Sequence, residues 1–205
     1  PRVQSLRYGE NPHQAAAPYR DPSYGGPTVL GVEPLHGKAL SYNNLADASA
    51  ALELALDLAR ASDAIGATVI KHANPCGAAT AASARDAIDA ALLGDPIAAF
   101  GGIVACSQEI DLTAAERLCD KGLFLEVIVA PGFAAEALER LRERWTNTRL
   151  LAVGSGPRPP QAGVMVRTLP GGALAQQIDA IRPDPDAWTL AAGPAPDAAT
   201  RAAAA

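Results

Sequence analysis

The stretch VIKHANPCG, Val69 to Gly77, sets a lysine beside a histidine and follows them with asparagine, proline, cysteine and glycine. An imidazole is the side chain best matched to accepting a proton near neutral pH. On a regular strand neighbouring side chains point to opposite faces. Lys71 and His72 can therefore reach one ligand only where the strand has ended or twisted. If they converge, the cation disfavours the imidazolium and holds His72 neutral. The plain alternative is a solvated strand-end lysine and a hydrogen-bonded core histidine, and the stretch alone does not choose between them. Asn74 precedes a proline and is biased to an extended conformation. Pro75 suits the first position of a following helix, whose N–H groups near Gly77 and Ala78 would then face an anionic or electron-rich ligand.

Three further clusters could contribute. In LRYGENPHQ, Arg7, Tyr8 and the later His13 offer donors to a phosphate, with arginine supplying a two-pronged fork. An ordinary surface turn is the competing reading. In GKALSYNNLADASAA, Asn43 and Asn44 stand just before a helix, where asparagine caps well and its other amide can still meet a ligand. In AAFGGIVA, Phe100 and the glycines after it allow close backbone approach beside an aromatic face, or simply start a strand. The chain has no Walker A loop, no G-x-G-x-x-G and no nucleophile elbow. Zinc deamination needs H-x-E with P-C-x-x-C. Here the residue two places after His72 is Asn74 and not Glu, and Cys76 has no second cysteine three residues on.

These clusters need a scaffold, and the chain from about Val69 to Val153 supplies one. The runs ATVIKH, GGIVACS, EVIVAP and RLLAVG read as buried strands. Between them TAASARDAIDAALLGD, LTAAERLCDKG and AAEALERLRERW carry helical spacing. Thr113 with Glu116 fits a capping box, and Gly122 is placed to end that helix. An earlier helix is expected over about Ala46–Ala61, from Leu45, Leu52, Leu56 and Ala59. Such alternation predicts an α/β layered fold with a largely parallel sheet. The expected organisation is an N-terminal arm over 1–40, an α/β lobe over 41–154, a linker and short strand pair over 155–182, and an Ala/Pro-rich tail or truncated helix over 183–205.

Composition narrows the class. The 205 residues are 49% hydrophobic and 19% charged, as in a soluble globular enzyme domain. A net charge of −5 argues against a broad nucleic-acid-binding face. No apolar run is long enough for a membrane helix, and the start lacks a secretion signal, so a cytoplasmic location is expected. The three cysteines match no disulfide framework or zinc spacing, and reduced thiols are expected.

Taken in order, LRYGENPHQ, LHGKALSYNNLADASAALE, VIKHANPCGAA, DPIAAFGGIVA and EVIVAPGFAAEAL resemble the AICAR transformylase domain of the bifunctional AICAR transformylase/IMP cyclohydrolase family, over about Leu6 to Gln177. The resemblance implies formyl transfer from 10-formyltetrahydrofolate to the 5-amino group of AICAR, giving FAICAR, without a metal or covalent intermediate. It places the catalytic pair on Lys71 and His72: histidine assists proton removal from the amine, and lysine stabilises the formyl oxygen or the departing folate nitrogen. It puts phosphate and ribose contacts on Arg7 and Tyr8, and Asn44, Phe100 and Gly101 beside the substrate. Glu126 falls where the family has an acidic residue. It also implies a cytidine-deaminase-like α/β lobe, and a homodimer with sites across the interface.

The resemblance covers the first transformylase lobe only. The cyclohydrolase domain and second lobe have no counterpart, so a partial transformylase is expected, with little activity alone and a second lobe as a possible separate partner chain. The alternatives are a non-catalytic module binding an AICAR-like nucleotide, and a dimerisation module.

Overall fold

The computed structural model describes residues 1–156, 164–178 and 187–203. Helix α1, Tyr42–Ser62, is followed by β1 (Ile65–Lys71), β2 (Asn74–Ala81), α2 (Ala84–Leu92), β3 (Gly102–Cys106), α3 (Leu112–Leu118), β4 (Leu125–Ala130), α4 (Ala135–Arg144) and β5 (Arg149–Ala152). The five strands form one sheet in the order β2-β1-β3-β4-β5. β1 runs antiparallel to both its neighbours, whereas β3, β4 and β5 pair in parallel. The sheet is thus mixed, with β1 the one strand running against the rest.

Strand alternation divides the core into two layers. Ala67, Val69, Val104, Ile128 and Leu150 face α2, α3 and α4, where they meet Ile88, Leu118 and Leu141. Ile70, Ile103, Val127, Val129 and Leu151 face the other way, against Leu45, Ala48, Ala51, Leu52 and Ala55 of α1. The β-branched runs are buried on both faces because helices cover both, the expected pattern for such a sheet. Thr68, fully buried, donates from its hydroxyl to Ala51 O at 2.9 Å and joins β1 to α1.

Several local expectations need correction. α1 starts earlier than expected and is capped by Ser41, whose hydroxyl accepts from Asn44 N while Asn44 Oδ1 accepts from Ser41 N. Asn43 and Asn44 therefore lie inside the first turn and are not its cap. α3 is capped by Asp111, not Thr113; the carboxylate accepts from Ala114 N and from the Thr113 hydroxyl. The helix ends at Leu118, so Gly122 falls in the turn beyond it. Asn74–Ala81 forms a strand and not the start of a helix, so Pro75 and the N–H groups of Gly77 and Ala78 belong to the sheet edge. Helix α2 begins only at Ala84, under a Ser83 cap.

The N-terminal segment is irregular but packed. Its first twenty residues fold back on themselves through bonds such as Leu6 N to Ala16 O at 3.0 Å and Arg20 N to Pro1 O at 2.9 Å. Val29 is buried against the α1 layer. Leu35 N then donates to Leu150 O at 2.8 Å, so the segment lies along the free edge of β5 and shields it.

The chain divides into two compact units near residue 158. In the second, β6 (Val164–Leu169) and β7 (Gly172–Gln177) form an antiparallel hairpin around Pro170 and Gly171. A short helix, α5, spans Ala198–Ala203. From residue 157 the predicted linker lies outside the described residues, as does the start of the tail. Among the described residues, no helix is long and apolar enough to cross a membrane.

All three cysteines are free. Burial pushes the Cys106 thiol up to about 11, whereas Cys76 is only half-buried and raised less strongly by burial and by Asp95, with Lys71 opposing. The thiolate is the nucleophile, so Cys106 is inert while the fold is intact. Iodoacetamide at about pH 8 should label Cys76 first and leave Cys106 unmodified until denaturant is added. Mass spectrometry showing Cys106 labelled early would contradict this packing.

Candidate functional site

Lys71 closes β1, Asn74 opens β2, and the two residues pair across the ladder. His72 and Ala73 are therefore a two-residue hairpin loop, with φ of 53° and 60°. Positive φ at both central positions marks the type I′ turn, which ordinarily favours Asn-Gly. A residue with a Cβ costs about 1–2 kcal/mol in this conformation, from crowding against the carbonyl oxygen. Hydrogen bonds compensate. Asp47 of α1 accepts from His72 N at 3.2 Å and from Ala73 N at 2.7 Å, and Asn74 Nδ2 donates to His72 O at 2.8 Å.

Because the strand ends at Lys71, the alternation that would send neighbouring side chains to opposite faces no longer applies. Lys71 and His72 both line one cavity of about 610 Å³. Lys71 Nζ donates to Phe100 O at 2.8 Å, which fixes its ammonium at the start of β3. The extended Asn-Pro reading holds, but it serves a hairpin and not a helix.

Arg7, Tyr8, Asn44, Gly101 and Glu126 line the same cavity. Arg7 donates from Nη2 to the Tyr8 hydroxyl at 3.0 Å and lies 4.8 Å from the centre of that ring. Gly101, at φ 76°, turns the chain into β3, and its N–H donates to Phe124 O at 2.8 Å. Glu126, on β4, pairs with Arg149 of β5 at 2.5 Å. Phe100 is the exception: its ring is not part of the cavity lining and sits 5.4 Å from the Phe124 ring, at an interplanar angle of 46°. Only its backbone reaches the site, through the carbonyl held by Lys71.

Lys38, Ser41, Asp47 and Arg149 also line the cavity, and no sequence signal marks them individually. Lys38, Ser41 and Asp47 do lie within the stretch LHGKALSYNNLADASAALE, but only as members of it. The lining carries four cations, Arg7, Lys38, Lys71 and Arg149, against the carboxylates of Asp47 and Glu126. That local excess of positive charge contrasts with the −5 of the whole chain. Such a cavity favours an anion, and arginine and lysine donors together suit a phosphate. Among the described residues, no cluster of three or more His, Cys, Asp or Glu side chains could hold a metal ion.

The chain is similar to bifunctional purine biosynthesis proteins PurH. It is 44% identical over 190 residues to that of Rhodopirellula baltica, covering 91% of this chain and 35% of the relative. It is 44% identical over 203 residues to that of Mycobacterium marinum, covering 97% of this chain and 37% of the relative. The Oceanobacillus iheyensis protein is also 44% identical, over 179 residues, covering 87% of this chain and 34% of that protein. The chain thus spans about a third of the length of these relatives. The model of the AICARFT/IMPCHase bienzyme family matches residues 1–205, and the chain belongs to that family.

Proposed function

We propose that this chain carries the proton-transfer half of an AICAR transformylase site, moving a formyl group from 10-formyltetrahydrofolate to AICAR in purine biosynthesis. The observation that carries the reading is the convergence of Lys71 and His72 on one cavity whose other cations can hold a phosphate. A volume of about 610 Å³ lies within the range of small-molecule sites. The sheet order β2-β1-β3-β4-β5 with β1 reversed also supports a cytidine-deaminase-like lobe.

In this mechanism Arg7 and Tyr8, with Lys38 or Arg149, grip the phosphoribosyl end of AICAR. The 5-amino nitrogen attacks the formyl carbon while His72 accepts the proton that this nitrogen loses. Lys71 faces the formyl oxygen or the folate nitrogen, where negative charge develops. Collapse of the tetrahedral adduct breaks the bond to the folate nitrogen, which takes up a proton as the amide of FAICAR forms. Proton count and charge balance without a redox step, and no metal is required. The folate, a second lobe from elsewhere in the polypeptide or from a separate chain, and a homodimeric partner complete the proposed site, in the cytoplasm.

Calorimetry of this chain with AICAR tests the reading directly. AICAR should bind, inorganic phosphate should compete, and Arg7→Ala should weaken binding about tenfold or more, through loss of a charge-assisted bond of about 1.5–3 kcal/mol. Binding without formyl transfer even in an assembled enzyme would instead favour a non-catalytic nucleotide-binding module. No binding would overturn the proposal and leave a dimerisation module.

A further inference from the structure

Asp47 is unusual among the acidic residues of the site. It is half-buried, makes no ion pair among the described residues, and uses its two oxygens on two successive backbone N–H groups. Those groups belong to His72 and Ala73, which sit at φ 53° and 60° although neither is glycine or asparagine. Nothing in the alanine side chain favours that conformation, and the histidine ring does not bond to its own backbone. An acceptor across the turn on α1, twenty-five residues away in sequence, is what the turn has in place of an Asn-Gly pair.

We infer that Asp47 is a positioning residue: its carboxylate clamps the β1–β2 turn in the left-handed geometry that presents the His72 imidazole to the cavity beside Lys71. The inference rests on the formyl-transfer reading for its consequence, but not for its structural content. α1 lies across the turn, and its register on the sheet is fixed by the buried Thr68–Ala51 hydrogen bond, so Asp47 is held as firmly as the helix. Without the clamp, the turn has every reason to relax to a negative-φ alternative, which would rotate the imidazole away while leaving Lys71 tied to Phe100 O.

A coupled set of variants tests this. In the assembled transformylase, Asp47→Ala should lower kcat about 10- to 100-fold with the KM for AICAR changed less than threefold. Asp47→Asn keeps one acceptor oxygen and should fall between. Ala73→Gly should then restore at least a third of the lost kcat in the Asp47→Ala background, because glycine adopts positive φ without a Cβ penalty. A generic structural defect would not be mended by a glycine in the turn. In this chain by itself, amide exchange should show His72 and Ala73 protected, and both exchanging at least tenfold faster in Asp47→Ala under an unchanged circular dichroism spectrum. Three results would overturn the clamp: kcat within threefold of the parent in Asp47→Ala, a lost kcat that Ala73→Gly fails to recover, or unchanged amide exchange. Absence of turnover in the parent assembly would count against the formyl-transfer reading, and the exchange measurement would still decide the clamp.

Discussion

Replacing His72 with alanine should lower kcat for formyl transfer by about 10²- to 10⁴-fold in the assembled enzyme, the usual range for loss of a general base. AICAR affinity should change by less than about tenfold, because the proposed phosphate grip rests on the cavity cations Arg7, Lys38 and Arg149 and not on the imidazole. The substitution is structurally mild. The His72 side chain is exposed, and Asp47 holds the backbone N–H of residue 72, which alanine retains. Stability should therefore shift by no more than roughly 0.5 kcal/mol. His72→Asn is the stricter variant, since asparagine tolerates positive φ and keeps hydrogen-bonding capacity but cannot accept a proton at neutral pH. Both variants should lose turnover to a similar extent. Calorimetry and a single-turnover absorbance assay separate binding from chemistry, and near-parental turnover in His72→Asn would remove His72 from the proton path.

The scaffold of the site is readable in the sequence where burial and periodicity coincide. The runs around Val69, Val104 and Ile128 are short, β-branched and buried on both faces, the leucine run around Leu150 is equally short and apolar, and each forms a strand of the sheet. β2 is illegible in the sequence for a physical reason. NPCGAATA carries a proline and a glycine and has no apolar alternation. It is a strand at all because it occupies the sheet edge, where a missing N–H leaves no partner unpaired, and because a register shift opposite Val69 and Ile70 absorbs the extra residue Cys76. The turn is equally hidden, since His-Ala has none of the local chemistry of a type I′ loop. Its geometry depends on Asp47, which reaches it only once α1 crosses the sheet. Charged residues such as Lys38 and Arg149 give no local signal for the same reason: their place in the cavity is a product of packing. Phe100 shows the converse, an aromatic whose suitability for stacking is met within the chain by Phe124.

Gly77→Ala is expected to have the largest effect on stability. A Cβ on Gly77 would lie 1.8 Å from Ala91 O and 2.9 Å from Ala91 C, and both are backbone atoms that no rotamer change can move. Helix α2 rests on β2 at this point, and Gly94 approaches the same place, where a Cβ of its own would lie 2.8 Å from Gly77 Cα. Relieving the overlap requires shifting the end of α2, and with it Ile88 and Leu92, which are packed into the larger core layer. Overpacking against rigid backbone of this kind should cost about 3 kcal/mol or more, enough to lower Tm by roughly 10 °C. Gly25→Ala is the matched control: a methyl group there would meet nothing within 4 Å, so its effect should stay within about 0.5 kcal/mol. A thermal melt in which the two variants behave alike would contradict the β2–α2 contact. The consequence reaches the site, because β2 carries Asn74, and the Lys71–Asn74 pairing closes the turn that holds His72. If Gly77→Ala still folds, it should lose turnover beyond what its residual folded fraction explains. The proposed proton-transfer pair then depends on an edge strand, which depends in turn on a glycine that lets a helix sit against it.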